Sequence, residues 1–498
     1  MAAPGTSSLT SQPTSRLAEL PSALMKGLVW FHRWLGVVLC AFFAVWFATG
    51  AMMVFVAFPA LSPDDRFAFS EPINLARLHL SPAEAAARLP DRPDLRLVGL
   101  EGAPIYVGSG PRGRDEAISG ETGAPVQPLA AGEAARIAVR FGHAESASVF
   151  GPFDYDQWNV HQQFDALRPF YRVRLADRRA TELYVSARTG EVVQRTLRYE
   201  RACNWLGSVV HWIYFVPIRR TFALWDWTVW LIALAGLSTA TAGVWLGVSR
   251  TTKKLQSKRP SVSPFRGLMR WHHILGLAAG VFVLCWITSG WLSMDHGRLF
   301  SEGTATDRQL QDYRGSAAAS RAISVADLKR LGPASVIDFQ QVGGHAIAAA
   351  RGSAGAHVLA TSGSNAQIYE RLPADLVVSA IRTAWPQRKV AALVPVPVDG
   401  AYAKAEGLPP EALLARLGGG APLRVYVDGV SGRILVVMDR SREAYAWVYY
   451  MLHTYNFPGL SSRPVLRITI LLIPLTLGFA FAVTGLLVGL RRLRMAAA

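Results

Sequence analysis

An apolar stretch that occurs twice constrains the fold of this chain more than any other feature. Residues 26–50 and 266–290 match without gaps at an offset of 240, which aligns His32 with His272. Both copies are long and apolar enough to cross the roughly 30 Å hydrocarbon layer of a membrane. An ionisable residue within such a span is by default a candidate functional residue. Each copy therefore predicts a transmembrane helix that carries a functional histidine near one end.

Glycines lie on the same helical face as these histidines. Residues eighteen apart return to one face of an α-helix because each residue turns the chain by about 100°. Four glycines lie one turn or eighteen residues beyond the histidines: Gly36, Gly50, Gly276 and Gly290. Each helix thus presents an imidazole beside missing side chains, which leaves room for a flat and bulky group. The alternative is that the glycines only let neighbouring helices approach closely.

Basic residues set the orientation of four predicted spans. The apolar segments cover residues 26–58, 226–248, 272–294 and 466–490. The loop 249–271 contains seven basic residues and no acidic one, and short loops of that composition stay in the cytoplasm. Both termini are then cytoplasmic, and residues 60–202 and 295–443 lie outside. Residues 1–25, which are rich in Ser, Thr, Pro and Ala, are predicted to be a disordered cytoplasmic tail.

The net charge of +17 follows from this topology and does not indicate nucleic-acid binding. Residues 60–202 contain 18 basic and 19 acidic residues, and residues 295–443 contain 17 and 14. The excess lies mainly in the cytoplasmic loop and near the C-terminus, where positive charge orients a membrane protein. The three cysteines lie in or beside the spans, so no disulfide framework is expected.

The two outer segments repeat one α+β pattern. A helix predicted over residues 131–141 precedes a hairpin at Leu183–Val193, and a helix over residues 376–384 precedes a hairpin at Val425–Leu435. In each hairpin a glycine supplies the positive φ that the turn requires. An earlier helix follows Ser81, a residue type that caps helices. The residue pattern also predicts a helix over residues 324–331 and hairpins over residues 118–126 and 359–369.

A second internal match closes each half of the chain. Trp205–Phe215 aligns with Trp447–Phe457 at an offset of 242, which places His211 on His453. Both segments are typical of aromatic helices at a membrane surface, where Trp and Tyr concentrate. The predicted interfacial helices cover residues 203–218 and 445–457. The chain is thus predicted to be a tandem duplication, with both halves in the same orientation in the membrane.

These motifs together resemble the PepSY-associated transmembrane family. The helix starts HRWLG and HHILG, the hairpins YVSARTGEVV and YVDGVSGRIL, and the segments VVHWIYF and MLHTYNF carry the resemblance, from about residue 26 to 492. Known relatives include bacterial inner-membrane reductases of ferric siderophores that hold two b-type haems. The resemblance implies that the outer α+β domains are PepSY-like, that the span histidines bind haem b, and that the chain lies in the bacterial inner membrane.

Depth along the helices predicts how the histidines pair. His32 and His272 lie near the cytoplasmic ends of their spans, whereas His211 and His453 lie at the outer surface. Opposite ends of a span are about 30 Å apart, so one iron cannot bind a histidine from each end. We therefore expect His32 to pair with His272, and His211 with His453, so that each half contributes one ligand to each pair.

Two other histidines leave the ligand set open. His273 stands where the first half has Arg33, so either His272 or His273 can be the ligand from the third span. His296 lies just beyond the outer end of that span, where it can replace an outer ligand or serve the substrate, although an exposed loop histidine is the favoured interpretation. Cations near the predicted haem levels are candidate partners of the haem propionates: Arg33, Arg219, Arg220, Arg270 and Arg463.

Two functions are consistent with this sequence. In the first, electrons enter at a cytoplasmic haem, pass to an outer haem and reduce a ferric siderophore or another ferric chelate for iron uptake. In the second, the PepSY-like domains bind a partner or peptide and regulate a protease or an uptake system without redox chemistry. Gly108–Gly113 (GSGPRG) does not open a helix and so lacks the context of a nucleotide site. Because no flavin or nicotinamide motif is recognisable, the electron donor of the first function is expected to be another, unidentified molecule.

Overall fold

A computed structural model of the chain describes residues 22–110, 113–316, 322–362, 365–397 and 400–497. Residues 1–21 of the predicted tail, and Pro111 and Arg112 of the segment GSGPRG, lie outside the described residues.

Four helices are long and apolar enough to cross a membrane, as predicted. They are called the first to fourth long helix and cover Ser22–Phe55, Phe222–Leu255, Gly267–Ser293 and Pro464–Ala497. Each begins a few residues before its predicted span, and the first begins within the predicted tail. The two segments that join the first helix to the second, and the third to the fourth, leave from the same end of the bundle. That end is called the sheet-bearing end.

The first, third and fourth long helices form the centre of the bundle. Phe47 of the first helix packs on Trp286 of the third, with ring centroids 5.9 Å apart. Gly478 of the fourth helix makes room for Phe47, because a Cβ at Gly478 would lie 2.6 Å from that ring. The second helix joins through Gly236, whose missing side chain admits the ring of Phe43 at 3.2 Å. Small residues thus set the helix spacing, as is usual between membrane helices.

Seven strands and five short helices are described between the first long helix and the first aromatic segment. Strands β1 to β7 cover Asp94–Leu100, Ala103–Ser109, Glu116–Ser119, Ala147–Phe153, Phe170–Leu175, Glu182–Ser186 and Val192–Thr196. The α-helices are Pro63–Phe69, Pro82–Arg88 and Ala131–Gly142, and the 3₁₀ helices are Leu75–Arg77 and Gln162–Leu167.

Eight strands and four helices are described between the third long helix and the second aromatic segment. Strands β8 to β15 cover Val336–Val342, His345–Gly352, Gly355–Ser362, Asn365–Tyr369, Lys389–Pro395, Ala412–Gly418, Leu423–Asp428 and Ile434–Met438. The helices are Asp307–Arg314, Val325–Lys329, Ala374–Ala384 and Ala401–Glu406.

The two segments that contain the strands share a sheet, which was not predicted from the sequence. Strands β4–β7 and β12–β15 each form a four-stranded antiparallel sheet, but a seven-stranded sheet has the order β11-β10-β9-β8-β1-β2-β3. Strand β1 of the first segment pairs antiparallel with β8 of the second, with Leu97 opposite Ile337. Both of these side chains are fully buried. Backbone hydrogen bonds and an apolar core therefore join the two halves outside the helix bundle.

Buried ion pairs tie the shared sheet to the first four-stranded sheet. Arg96 on β1 binds Glu191, just before β7, with Nη2 to Oε2 at 2.6 Å, and it binds Asp115 at 2.7 Å. Arg66 reaches the other oxygen of Glu191 at 2.5 Å. Burial by itself raises the pKa of Glu191, but the two guanidinium groups outweigh it and lower that pKa to about 2. A buried carboxylate paired in this way stays ionised at neutral pH.

Most of the predicted local elements are confirmed. Ser81 caps the helix Pro82–Arg88 through a capping box with Glu84, and the predicted hairpins appear as β6–β7, β10–β11 and β14–β15. The hairpin predicted over residues 118–126 is only partly formed, because β3 ends at Ser119 and an isolated bridge joins Ile118 to Pro125. Proline has no N–H with which to continue the ladder.

The aromatic segments fold as short helices at the sheet-bearing end. The first segment contains the helices Arg198–Leu206, Ser208–His211 and Val216–Arg219. The second contains the α-helix Arg440–Ala446 followed directly by a π-helix, Trp447–His453. In both segments the predicted histidine is the last residue of its helix, and a residue with positive φ follows two positions later (Ile213 and Tyr455).

Candidate functional site

A cavity of about 270 Å³ lies between the four long helices, at the end opposite the sheets. His32 of the first helix and His272 of the third both line it. The second and fourth helices contribute glycines to its wall, among them Gly243 and Gly485. The structure thus brings the two span histidines, one from each half, to a single apolar space.

His32 is held by the second long helix. Its Nδ1 lies 3.0 Å from the carbonyl oxygen of Thr239. A carbonyl oxygen can only accept, so Nδ1 carries the proton and Nε2 has the free lone pair. The ring rests on Gly243, where an added Cβ would lie 2.5 Å from the Cε1 atom of His32.

His272 is held in the equivalent way by the fourth helix. Its Nδ1 lies 3.4 Å from the hydroxyl of Thr484, which donates its own proton to the carbonyl of Phe481 at 2.7 Å. The hydroxyl therefore accepts from Nδ1–H of His272. The ring stacks on Phe481 with centroids 4.9 Å apart, and a Cβ on Gly485 would meet its Cε1 at 3.0 Å.

His211 binds the first long helix at the sheet-bearing end. Its Nδ1 lies 3.0 Å from the hydroxyl of Thr49, and that hydroxyl donates to the carbonyl of Val45 at 2.8 Å. The ring lies over Gly50, where a Cβ would be 3.5 Å from Cε1. Burial first, and then the neighbouring His453, lower the pKa of His211 to about 3. His211 is therefore neutral, and it adjoins the corresponding histidine of the other half.

His453 repeats this arrangement on the third long helix. Its Nδ1 lies 3.1 Å from the hydroxyl of Ser289, which donates to the carbonyl of Trp286 at 3.1 Å. The ring lies over Gly290, where a Cβ would be 3.0 Å from Cε1. Ser289 and Gly290 fall on Thr49 and Gly50 at the offset of 240 seen in the sequence.

All four histidines thus share one chemical state. Nδ1 of each donates to a carbonyl or hydroxyl oxygen, and no hydrogen bond between described residues engages Nε2 of any of them. Histidines that bind a metal characteristically donate their second ring N–H in this way, which fixes the ring and raises the basicity of the ligating nitrogen. Among the residues that the structure describes, no three metal-binding side chains cluster; these histidines occur in pairs.

The predicted glycines have different surroundings. Gly36 lines the cavity, and a Cβ on it would have no neighbour within 4 Å. Gly276 also lines the cavity, but a Cβ there would meet Phe481 at 2.9 Å. Gly50 and Gly290 instead lie beneath the rings of His211 and His453, respectively.

Two further glycines belong to the site and were missed as site residues. Gly243 and Gly485 lie beneath the rings of His32 and His272. They align with each other at the offset of 242, so the signal was present in the sequence. This alignment does not show that the two glycines contact histidines. That contact depends on which helix packs against which histidine, and the periodicity of the sequence does not indicate helix packing.

The alternative histidines have partners of their own. Nε2 of His273 lies 3.1 Å from the carbonyl of Gly247, so that nitrogen donates, and the ring packs against Phe265. His272, and not His273, therefore matches the state of the other three histidines. Nδ1 of His296 lies 2.6 Å from Oδ2 of Asp226, whereas the hydroxyls of Thr49 and Ser289 hold His211 and His453.

The arginines at the cavity differ from those predicted. Arg33 lines the cavity as expected, together with Arg250 and Arg492, which the sequence analysis counted only as topology signals. Arg219 is buried beside Tyr214 and Trp225 at the sheet-bearing end. The other three candidate cations, Arg220, Arg270 and Arg463, are exposed.

Comparison with known proteins agrees with the architecture. No curated protein matches the sequence. The family model of the PepSY-associated TM region matches residues 29–492, nearly the whole chain and all four long helices. The protein is therefore a multi-pass membrane protein of the PepSY-associated TM region family.

Proposed function

We propose that this protein is a bacterial inner-membrane electron-transfer protein that holds two b-type haems and reduces a ferric chelate, such as a ferric siderophore, on the outer side. The observation that carries the proposal is the shared state of His32, His272, His211 and His453. Four neutral imidazoles, each with Nδ1 engaged and Nε2 free, form one pair at each end of the bundle. Both termini are then in the cytoplasm, with the sheets outside.

The residues around the inner pair fit a haem. The cavity between His32 and His272 is walled mainly by apolar side chains and glycines, and three arginines line it as well: Arg33, Arg250 and Arg492. The two free Nε2 atoms would bind the iron of a haem held here, and the arginines would form charge-assisted hydrogen bonds with its propionates. At the outer pair, a Cβ on Gly290 would lie only 3.0 Å from the ring of His453, so this glycine lets the ring approach its helix, whereas a Cβ on Gly50 would make an ordinary contact of 3.5 Å with His211.

A bound haem supplies a carrier that takes up and releases one electron at a time. The protein's own residues set the conditions for that chemistry. Carbonyl and hydroxyl oxygens hold each imidazole in one tautomer and one orientation, and the apolar helix faces exclude water. Each ferric ion takes up one electron from an external donor, and the chelate, which binds ferrous iron more weakly, then releases it for uptake.

The first experiment is a reduced-minus-oxidised spectrum and a haem count of the purified protein. We expect a b-type α-band and two haems per chain. His32→Ala and His272→Ala should each remove the same haem, and His211→Ala and His453→Ala should each remove the other. Combining one substitution from each pair should abolish haem binding. The matched control is His79→Ala, an exposed histidine whose removal should leave both haems in place.

Two results would contradict this proposal. A purified protein without a b-type band would exclude the haem-dependent function. Loss of one common haem in His32→Ala and His211→Ala would show that the ligands pair along each half and not across the halves.

A further inference from the structure

A second polar cluster lies at the sheet-bearing end of the second and third long helices. Nδ1 of His296 lies 2.6 Å from Oδ2 of Asp226. The imidazole packs against two indole rings, with centroids 4.3 Å from Trp227 and 4.9 Å from Trp230. Trp291 extends the cluster at 5.5 Å from Trp230. This group of five side chains is called the His296 cluster.

Two polar atoms of the His296 cluster are buried without a hydrogen bond. They are Oδ1 of Asp226, an acceptor, and Nε1 of Trp291, a donor, and neither has a partner among the described residues. The other oxygen of Asp226 accepts from Nδ1–H of His296, so Nε2 of that ring is left as a base. A buried polar atom without a partner costs free energy that a ligand can recover.

A general role in the fold does not explain this cluster. Tryptophans concentrate at membrane surfaces, but a carboxylate that is only 14% exposed is costly within a membrane span unless it serves a purpose. At the two offsets that align the halves, Val56 corresponds to His296 and Ile468 to Asp226. The other half therefore has aliphatic side chains in place of the ion pair.

The complementary ligand is a hydroxylated aromatic ring that reaches the site from the lipid. The indole faces provide stacking surfaces, Asp226 and His296 accept protons from hydroxyl groups, and the N–H of Trp291 donates to a ring oxygen. Trp227 is 51% exposed, and Leu224 and Leu231, on the same helical face, are 51% and 52% exposed. This apolar face borders the cluster on the side where a membrane would lie.

We propose that the His296 cluster binds the headgroup of a membrane-dissolved hydroquinone and accepts its protons as it is oxidised, so that the hydroquinone is the electron donor of this protein. The proposal rests on the proposed function, and it moves electron entry from the cytoplasmic end, where the sequence analysis put it, to the sheet-bearing end. Trp291 of the cluster directly follows Gly290, the residue on which His453 rests.

The reaction balances with the ferric chelate as oxidant. One hydroquinone loses two O–H protons and two electrons and becomes a quinone, while two ferric ions each gain one electron. Nε2 of His296 accepts the first proton, and the carboxylate of Asp226 stabilises the imidazolium that forms. The proton then leaves for water at the sheet-bearing end, and the second proton follows the same route. A two-electron donor needs two one-electron acceptors, and the two haems that the histidine pairs would hold would each accept one electron.

The test uses a short-chain decyl hydroquinone and the purified holoprotein in detergent without oxygen. Stopped-flow spectroscopy follows haem reduction by the hydroquinone, and dithionite provides a reductant that needs no binding site. Asp226→Asn and His296→Gln should slow reduction by the hydroquinone about a hundredfold, the usual contribution of a general base, and leave reduction by dithionite unchanged. Trp245→Phe, at the other end of the second helix, is the control and should behave like the wild type.

Binding is measured separately by titration calorimetry with the oxidised decyl quinone. Trp291→Phe keeps a ring but removes the N–H donor, and we expect about fivefold weaker binding, the usual effect of one hydrogen bond. Titration of a ferric chelate tests whether a phenolic chelate, and not a lipid quinone, occupies the cluster.

The outcomes separate this inference from the proposed function. Suppose that dithionite reduces the haem and that the rate of haem reduction by the hydroquinone is the same in the wild type, Asp226→Asn and His296→Gln. That result would overturn the inference and leave the proposed function intact. The inference would also be overturned if the ferric chelate binds, if Trp291→Phe weakens that binding, and if the quinone does not bind. Absence of haem would refute the proposed function, whereas the quinone titration would still report on the cluster.

Discussion

Replacement of Gly243 by alanine tests whether His32 is held where a haem ligand must be. The added methyl would lie 2.5 Å from Cε1 of His32, whereas ordinary contact begins at 3.4 Å. The ring must then move by about 0.9 Å, the difference between these distances, or lose its hydrogen bond to Thr239 at 3.0 Å. Overpacking of this kind typically costs about 1–3 kcal/mol. That cost corresponds to roughly 5- to 150-fold weaker haem binding at the inner pair.

Gly50→Ala is the matched control for this prediction. Its methyl would lie 3.5 Å from Cε1 of His211, an ordinary contact, so haem binding at the outer pair should be unchanged. The assay is titration of haem into the apoprotein, with the α-band of each centre resolved in the reduced spectrum. An intact outer centre in Gly243→Ala shows that the variant is folded. Full retention of the inner haem in Gly243→Ala, or equal losses in the two variants, would refute this account of the site.

Three further predictions concern a hydrogen bond of the outer pair, the topology and a buried ion pair. Thr49→Val keeps the shape of the side chain but removes the hydroxyl that accepts from Nδ1–H of His211. The affinity for the outer haem should fall by about 10- to 100-fold in a haem titration. Unchanged affinity would exclude a role for that hydroxyl. Cysteine at the exposed position Ser353 should react with an impermeant thiol reagent in spheroplasts, and cysteine at the exposed position Ser261 should not; the reverse pattern would invert the topology. Glu191→Gln should destabilise the protein at neutral pH by about 3 kcal/mol, because the arginines lower the pKa of Glu191 from 4.5 to about 2 and each pKa unit corresponds to about 1.36 kcal/mol. Since the folded-state pKa is the lower one, this stabilisation is present above about pH 4.5 and disappears as the pH falls toward 2, so thermal unfolding midpoints of variant and wild type should converge in acid; a constant difference would contradict the ion-pair account.

Local sequence patterns were enough to predict the four membrane spans and to select the histidines as candidate ligands. A membrane span requires only a run of apolar residues of sufficient length, and the four long helices contain the four predicted runs almost completely. Helical periodicity also placed Gly36 and Gly276 on the histidine face, and both line the cavity. The internal matches aligned Thr49 with Ser289 and Gly243 with Gly485 before their contacts were known. These inferences needed only neighbours along the chain or a comparison of the chain with itself.

The partners of each histidine depended on the tertiary structure. Thr239 is 207 residues away from His32 along the chain, and no periodicity indicates that its carbonyl fixes the imidazole tautomer. The difference between His272 and His273 likewise depends on a tertiary contact, because Nε2 of His273, and not its Nδ1, meets the carbonyl of Gly247. The pairing of β1 with β8, which merges two expected domains into one sheet, is a contact of the same kind. Each of these contacts joins residues that are distant in sequence, and only the packing of helices and strands against one another brings them together.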